Sequence, residues 1–214
     1  MAFGEDTWDI TLPPYIGTPE KERLKEQLKQ FFSSEFREKG KEYENFYLTK
    51  SQTFFMQGDI LESLPVCNWD LEKNEYITAY SPVMLMSSSC DVFHENESLL
   101  DKEALFTQLI PLDEYFFDLK SQGFTEANIA SIYSGLKHQT YSNLFYLPHN
   151  PIDKREFLIF FDKIYWHPSS ELINKVDTID DERFLSLDHF GFYLLITKLS
   201  YHFCRVPELR ERFS

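Results

Sequence analysis

Between Ser51 and Ile110 the apolar residues come in short runs of strand length: Thr53 to Met56, Gly58 to Leu61, Tyr76 to Tyr80, Val83 to Met86 and Ala104 to Ile110. The breaks carry turn-forming side chains, Cys67-Asn68-Trp69-Asp70 and Lys73-Asn74-Glu75 among them. Any single run also suits a short buried helix, but the series predicts a strongly bent sheet or a small barrel.

Helical signals flank this region. Thr18-Pro19-Glu20 offers an N-cap, a proline at the first helical position and an acid in the first turn. Leu24, Leu28, Phe31 or Phe32 and Phe36 follow at spacings of three to four, with lysines and glutamates alternating elsewhere. Residues 1–50 therefore read as a helical arm and residues 51–214 as the body. Thr125-Glu126-Ala127-Asn128 opens a second helical segment with Ile129, Ile132, Tyr133 and Leu136 on one face. Leu144 to Leu147 and the almost continuously apolar Phe157 to Trp166 read as strands, and Ser186 or Asp188 caps a last helix running to Cys204. The fold class expected is α+β.

The chain of 214 residues carries a formal charge of −14. A sequence-independent grip on nucleic acid neutralises phosphates with Lys and Arg, so the overall charge argues against it. Thr18 to Lys50 holds eight basic against seven acidic residues, which leaves the acidity to the body. A hydrophobic share of 43% and an aromatic share of 17% exclude a disordered acidic tail. Three cysteines far apart, Cys67, Cys90 and Cys204, suggest neither a disulfide framework nor a zinc ribbon, and a reducing cytoplasm is expected. The start MAFGEDTWDI has no basic or apolar leader region. The run Phe190 to Phe203 is broken by Lys198 and His202 and reads as a buried helix rather than a membrane span.

Chemistry concentrates where the run Pro82 to Met86 ends in Ser87-Ser88-Ser89-Cys90-Asp91-Val92-Phe93-His94. On one reading Cys90 is a nucleophile, with His94 or another histidine as its base and Asp91 as the orienting acid. On the other, Cys90 is a half-buried packing residue beside an Asp that ties down a turn. Asp59, after Gly58, is either a carboxylate at the mouth of a groove, with Ser89 a second binding residue, or a turn residue accepting backbone N–H bonds. His138, His149 and His167 are metal candidates beside Cys90 and His94, but the six histidines stand singly, so no metal or cofactor is expected. The pairs Asp113-Glu114 and Asp180-Asp181 read as solvated acids, and Phe160, Phe161, Tyr165 and Trp166 as core rather than a base-stacking platform.

Gly58-Asp59-Ile60, Ser81-Pro82-Val83-Met84-Leu85-Met86-Ser87 and Leu109-Ile110-Pro111-Leu112, taken together, resemble the skeleton of the PemK/MazF-like toxins over Phe55 to Asp113. The resemblance implies an SH3-like barrel and an origin among toxin–antitoxin or phage-defence genes. Those toxins cut single-stranded RNA with an arginine before the strand proline and a Thr or Ser after the later one. Ser81 and Asp113 stand at these places, and a carboxylate repels the charge developing at phosphorus. The cysteine–aspartate pair, Tyr146-Leu147-Pro148, Phe161-Asp162-Lys163-Ile164 and the last helix fall outside the toxin pattern and look like an uncharacterised bacterial family. The expectation is a non-catalytic component of a bacterial defence or toxin–antitoxin-type system, holding a protein partner through aromatic and acidic surface. The alternatives are a degenerate endoribonuclease and a Cys90-dependent hydrolase.

Overall fold

The computed structural model describes residues 18–32, 43, 46–48, 53–70, 73–92, 103–173 and 183–203. Strands β1 (Ile60–Asp70) and β2 (Glu75–Leu85) pair antiparallel from Ile60 opposite Met84 to Asp70 opposite Glu75, with a register shift between Leu61 and Leu64. The separate runs Tyr76 to Tyr80 and Val83 to Met86 thus join in one strand that ends at Leu85, and Cys67-Asn68-Trp69-Asp70 is the end of β1 rather than a turn. The ladder is the cause: cross-strand hydrogen bonds carry extended backbone through polar positions that break a local apolar pattern. Thr53 to Met56 forms no strand and leads into a turn.

β3 (Glu103–Gln108) pairs with the end of β2 and β7 (Ile164–Pro168) pairs with β3. β8 (Arg183–Leu185) pairs with the start of β1 and completes an antiparallel five-stranded sheet in the order β7-β3-β2-β1-β8. β8 reaches β1 only at Ile60 and Leu61, and β3 reaches β2 only at Val83 to Leu85, so the rest of β1 and β2 projects as a two-stranded ribbon. The sheet bends until the Tyr165 hydroxyl donates to Asn68 Oδ1 at 2.6 Å and His167 Nε2 meets the Pro65 carbonyl at 2.8 Å. Side chains stitch β7 to β1; among the described residues no backbone ladder joins them. Leu61, Val66, Val83, Leu85 and Phe106 fill the inside of the bend with Phe55.

A second sheet has the order β4-β6-β5, from β4 (Ile110–Pro111), β5 (Leu144–Leu147) and β6 (Phe157–Phe160). The expected single strand Phe157 to Trp166 is two strands, because the chain turns after Phe160 and Lys163 N–H donates to the Phe160 carbonyl. β6 then belongs to the small sheet and β7 to the large one. Alternation along β5 and β6 sorts the side chains into two cores. Phe145, Leu147, Phe157 and Ile159 share a cluster with Ile60 and Met84 of the large sheet, whereas Tyr146 and Leu158 pack with Leu112 and Leu136.

Leu112 opens helix α2 (Leu112–Ser121) and Leu136 lies on α3 (Glu126–Lys137), which Thr125 starts through a reciprocal capping box with Asn128. After the short α4 (Ser169–Ile173), α5 (His189–Phe203) adds Leu194 and Leu195 to the central cluster. The arm helix α1 (Thr18–Phe32) buries Leu24 and Leu28 in that same cluster, so it docks on its own body. Each such leucine contributes about 1.5–3 kcal/mol. Among the described residues no helix is long and apolar enough to cross a membrane.

Candidate functional site

The Gly58-Asp59 step is a tight turn. Asp59 N–H donates to the Met56 carbonyl at 2.9 Å while Gly58 sits at φ +91°, where a side chain is strained and where a Cβ would also lie 2.9 Å from Leu187 Cδ1. The Asp59 carboxylate closes this turn by accepting Met56 N–H on Oδ2 at 2.9 Å. It is 1% exposed and takes two further donors from far along the chain, the Ser186 hydroxyl on Oδ1 at 2.6 Å and Arg183 Nη1 on Oδ2 at 3.2 Å. Arg183 also donates to the Phe54 carbonyl at 3.0 Å. Burial pushes the Asp59 carboxyl above its ordinary value against the opposing pull of Ser186, the Met56 N–H and Arg183. This carboxylate is a joint between β8 and the entry to β1, without a face to solvent.

The serines after β2 serve as backbone acceptors. Ser87 Oγ accepts from Leu105 N–H at 2.8 Å, and Ser89 Oγ from Gln57 N–H at 2.9 Å, while the Gln57 side chain donates to the Met86 carbonyl. Ser89, Cys90 and Asp91 form one 3₁₀ turn on which Cys90 and Asp91 are exposed. His94, the nearest candidate base in sequence, lies outside the described residues, as do Cys204 and Asp180-Asp181. Ser89 and Gln57 line a cavity of about 270 Å³ with Leu48, Met56, Phe192 and His189. The structure thus brings Ser89 beside the Asp59 turn, yet Asp59 faces inward to Arg183, and Cys90 and Asp91 are not among the residues lining that cavity.

Comparison with protein-family models, with curated proteins and with solved structures returns no match. The function therefore has to be read from the molecule's own surfaces.

Two constellations escaped the sequence reading. On the β1–β2 ribbon, Trp69 lies opposite Tyr76 and Pro65 opposite Tyr80, so alternation puts Trp69, Tyr76 and Tyr80 on one outward face with Cys67 and Thr78. Trp69 is 47% exposed, Tyr76 72% and Tyr80 76%; the Trp69 and Tyr76 rings meet edge to face at 4.8 Å. Glu62 along the ribbon and Asp70 and Glu75 at its tip supply carboxylates. The second constellation is Glu156, which accepts from Tyr133 at 3.0 Å, from the Tyr146 hydroxyl and from His149 Nδ1 at 3.0 Å. Burial first, and the Glu156 charge next, hold the Tyr133 and Tyr146 hydroxyls protonated. Local spacing gives no sign of either, because Cys67 to Asp70 read as a turn and Tyr76 to Tyr80 as a run of its own, and the donors to Glu156 come from α3, β5 and the loop after β5.

Proposed function

We propose that this chain is a non-catalytic, protein-binding component of a bacterial anti-phage defence or toxin–antitoxin-type system. The observation that carries the binding role is the outward aromatic face of the β1–β2 ribbon. Large aromatic rings left in water favour burial in an interface, where Trp and Tyr supply most of the binding energy. Carboxylates around them select a partner with basic side chains, whose guanidinium or ammonium groups are attracted both to the acids and to the ring faces.

The same proposal takes the large sheet as an SH3-like barrel related to the PemK/MazF-like toxins. In support, its bend is strong enough for Tyr165 and His167 to bridge to β1. Loss of the toxin chemistry is supported by Ser81, whose hydroxyl only accepts from Gln108 Nε2 at 3.2 Å and donates to the Pro82 carbonyl, and by Asp113, an exposed carboxylate in the first turn of α2.

The test is co-purification after expression of the chain together with the genes beside its own. A stoichiometric protein partner is expected with the wild type and is lost in the double variant Tyr76→Ser/Tyr80→Ser, with circular dichroism unchanged. A solitary monomer that turns over a small substrate, or a partner retained by that variant, overturns the reading.

A further inference from the structure

We propose that the cavity between the Met56-Gln57 turn, the Ser89 turn and the start of α5 binds a small uncharged ring that carries an amide group. The site is separate from the ribbon, so its failure leaves the partner role standing. The cavity measures about 270 Å³, at the small end of ligand sites, which suits one substituted ring.

Its walls are mostly apolar: Leu48, Met56, Leu187 and Phe192, the last edge to face with Tyr193 at 5.3 Å. The described lining holds no Lys, Arg, Asp or Glu. His189, the lining residue that titrates near neutral pH, has Nδ1 3.4 Å from Asp188 Oδ1, so a proton gained there is met by its own neighbour. Below the turn, Asp59 and Arg183 are paired with each other. A charged ligand entering here gives up hydration without gaining a countercharge, whereas an uncharged one gives up far less.

Two polar groups of the lining have capacity to spare. Ser89 Oγ accepts from Gln57 N–H at 2.9 Å, and a serine hydroxyl that accepts still has its proton to give. Gln57 Nε2 donates to the Met86 carbonyl at 2.7 Å, which assigns the nitrogen end of the carboxamide and leaves Oε1 as an acceptor. Neither side chain makes a further bond within the chain. The cavity therefore offers one donor and one acceptor on two residues already bonded to each other. An amide carries the matching acceptor and donor on neighbouring atoms. A carboxylate has acceptors alone, an amidinium donors alone, and a hydrocarbon neither.

The lining is held in place, as a binding site requires. The Asp59 carboxylate, 1% exposed, closes the turn at Met56 and takes the hydroxyl of Ser186, the residue before Leu187. Leu48 N–H donates to the Ser186 carbonyl at 2.9 Å. The Met56-Gln57 turn, the Leu48 segment and the approach to α5 thus converge on one buried joint, and a site that needs no reordering loses little affinity to entropy.

The test is NMR titration of the full chain at about 0.15 M salt, where surface charge is largely screened. The probes are benzamide, its isosteres benzoate and benzamidinium, and toluene. Benzamide is expected to give saturable shifts confined to Leu48, Gln57, Ser89 and Phe192. The other three are expected to bind about tenfold more weakly or worse, the effect of a hydrogen bond left unmade. N-acetylphenylalanine amide separates the sources: tighter binding than benzamide assigns the cavity to a peptide side chain, equal or weaker binding to a free small molecule. Ser89→Ala, at a half-buried position, is expected to weaken benzamide about 2- to 12-fold with circular dichroism unchanged. Leu48→Trp, whose backbone bond to Ser186 does not depend on the side chain, is expected to abolish binding by filling the space. Absence of saturable shifts with benzamide, an equal response to benzoate, benzamidinium or toluene, or unaltered affinity in either variant overturns the proposal, and the isostere series decides it even where a variant fails to fold.

Discussion

Asp59 shows how one side chain is both local and long-range. Its turn-closing bond to Met56 follows from the Gly-Asp pair and was readable at once, whereas Arg183 and Ser186 lie more than a hundred residues away and leave no local trace. Breaking a buried, hydrogen-bonded ion pair from one side costs about 3–5 kcal/mol, and Asp59 is also the acceptor for Met56 N–H and the Ser186 hydroxyl. Asp59→Ala is therefore expected to lower the urea-unfolding free energy by that amount, and the double variant Asp59→Ala/Arg183→Met to recover part of it. A loss below about 1 kcal/mol would show that the joint does not hold β8 to β1. Cys90, exposed on its turn, is expected to tolerate Cys90→Ala with stability changed by no more than about 0.5 kcal/mol. Biological activity that survives this change argues against a Cys90 nucleophile.

Helix starts were the most legible elements, since a cap is written within four residues: Thr125 with Asn128 opens α3 where the sequence places it. Removing that cap by Thr125→Ala is expected to cost about 1 kcal/mol in thermal or urea unfolding. Strand ends were less legible, because pairing decides them; β1 runs on through Asn68 and Asp70, and the run at Phe157 divides at Asp162 and Lys163.

Lys198 in α5 looked like an interruption of an apolar run and is instead buried, with Nζ donating to the carbonyls of Gln139 at 2.8 Å and Tyr141 at 2.6 Å. Burial brings its pKa down to about 7, against roughly 10.4 in an unfolded chain. Between these values the unfolded chain binds the extra proton, so stability rises with pH. Urea unfolding between about pH 7 and 9 is expected to show that rise in the wild type and to lose it in Lys198→Met. The window stops there because buried Tyr43, Tyr47 and Tyr146, all raised, work in the opposite direction at higher pH. An unchanged slope in the variant would assign the effect to other groups.

For the molecule as a whole, the charge of −14 distinguishes the functional readings better than the fold does. A partner held by acids around aromatic rings is expected to bind more weakly as salt rises from about 0.05 to 0.5 M, with the loss mainly in association rate. Affinity indifferent to salt would leave the rings as the whole interface and remove the case for a basic partner. RNA binding at low salt would reopen the nuclease alternative. The α+β class was legible from the alternation of run types; the division into two sheets was not, since it depends on which strands meet across the core.

Among the described residues Tyr165 and His167 hold β7 to β1 through side-chain bonds, which give the bent sheet a seam rather than a continuous weave. A ladder parts only when a row of amides parts together, but a seam of side chains separates by rotating a phenol and an imidazole. The amides of β7 that turn away from β3 should accordingly exchange with solvent through small local openings, far below the free energy of global unfolding, while those in the ladder with β3 stay protected. The bent five-stranded sheet has a built-in place to breathe.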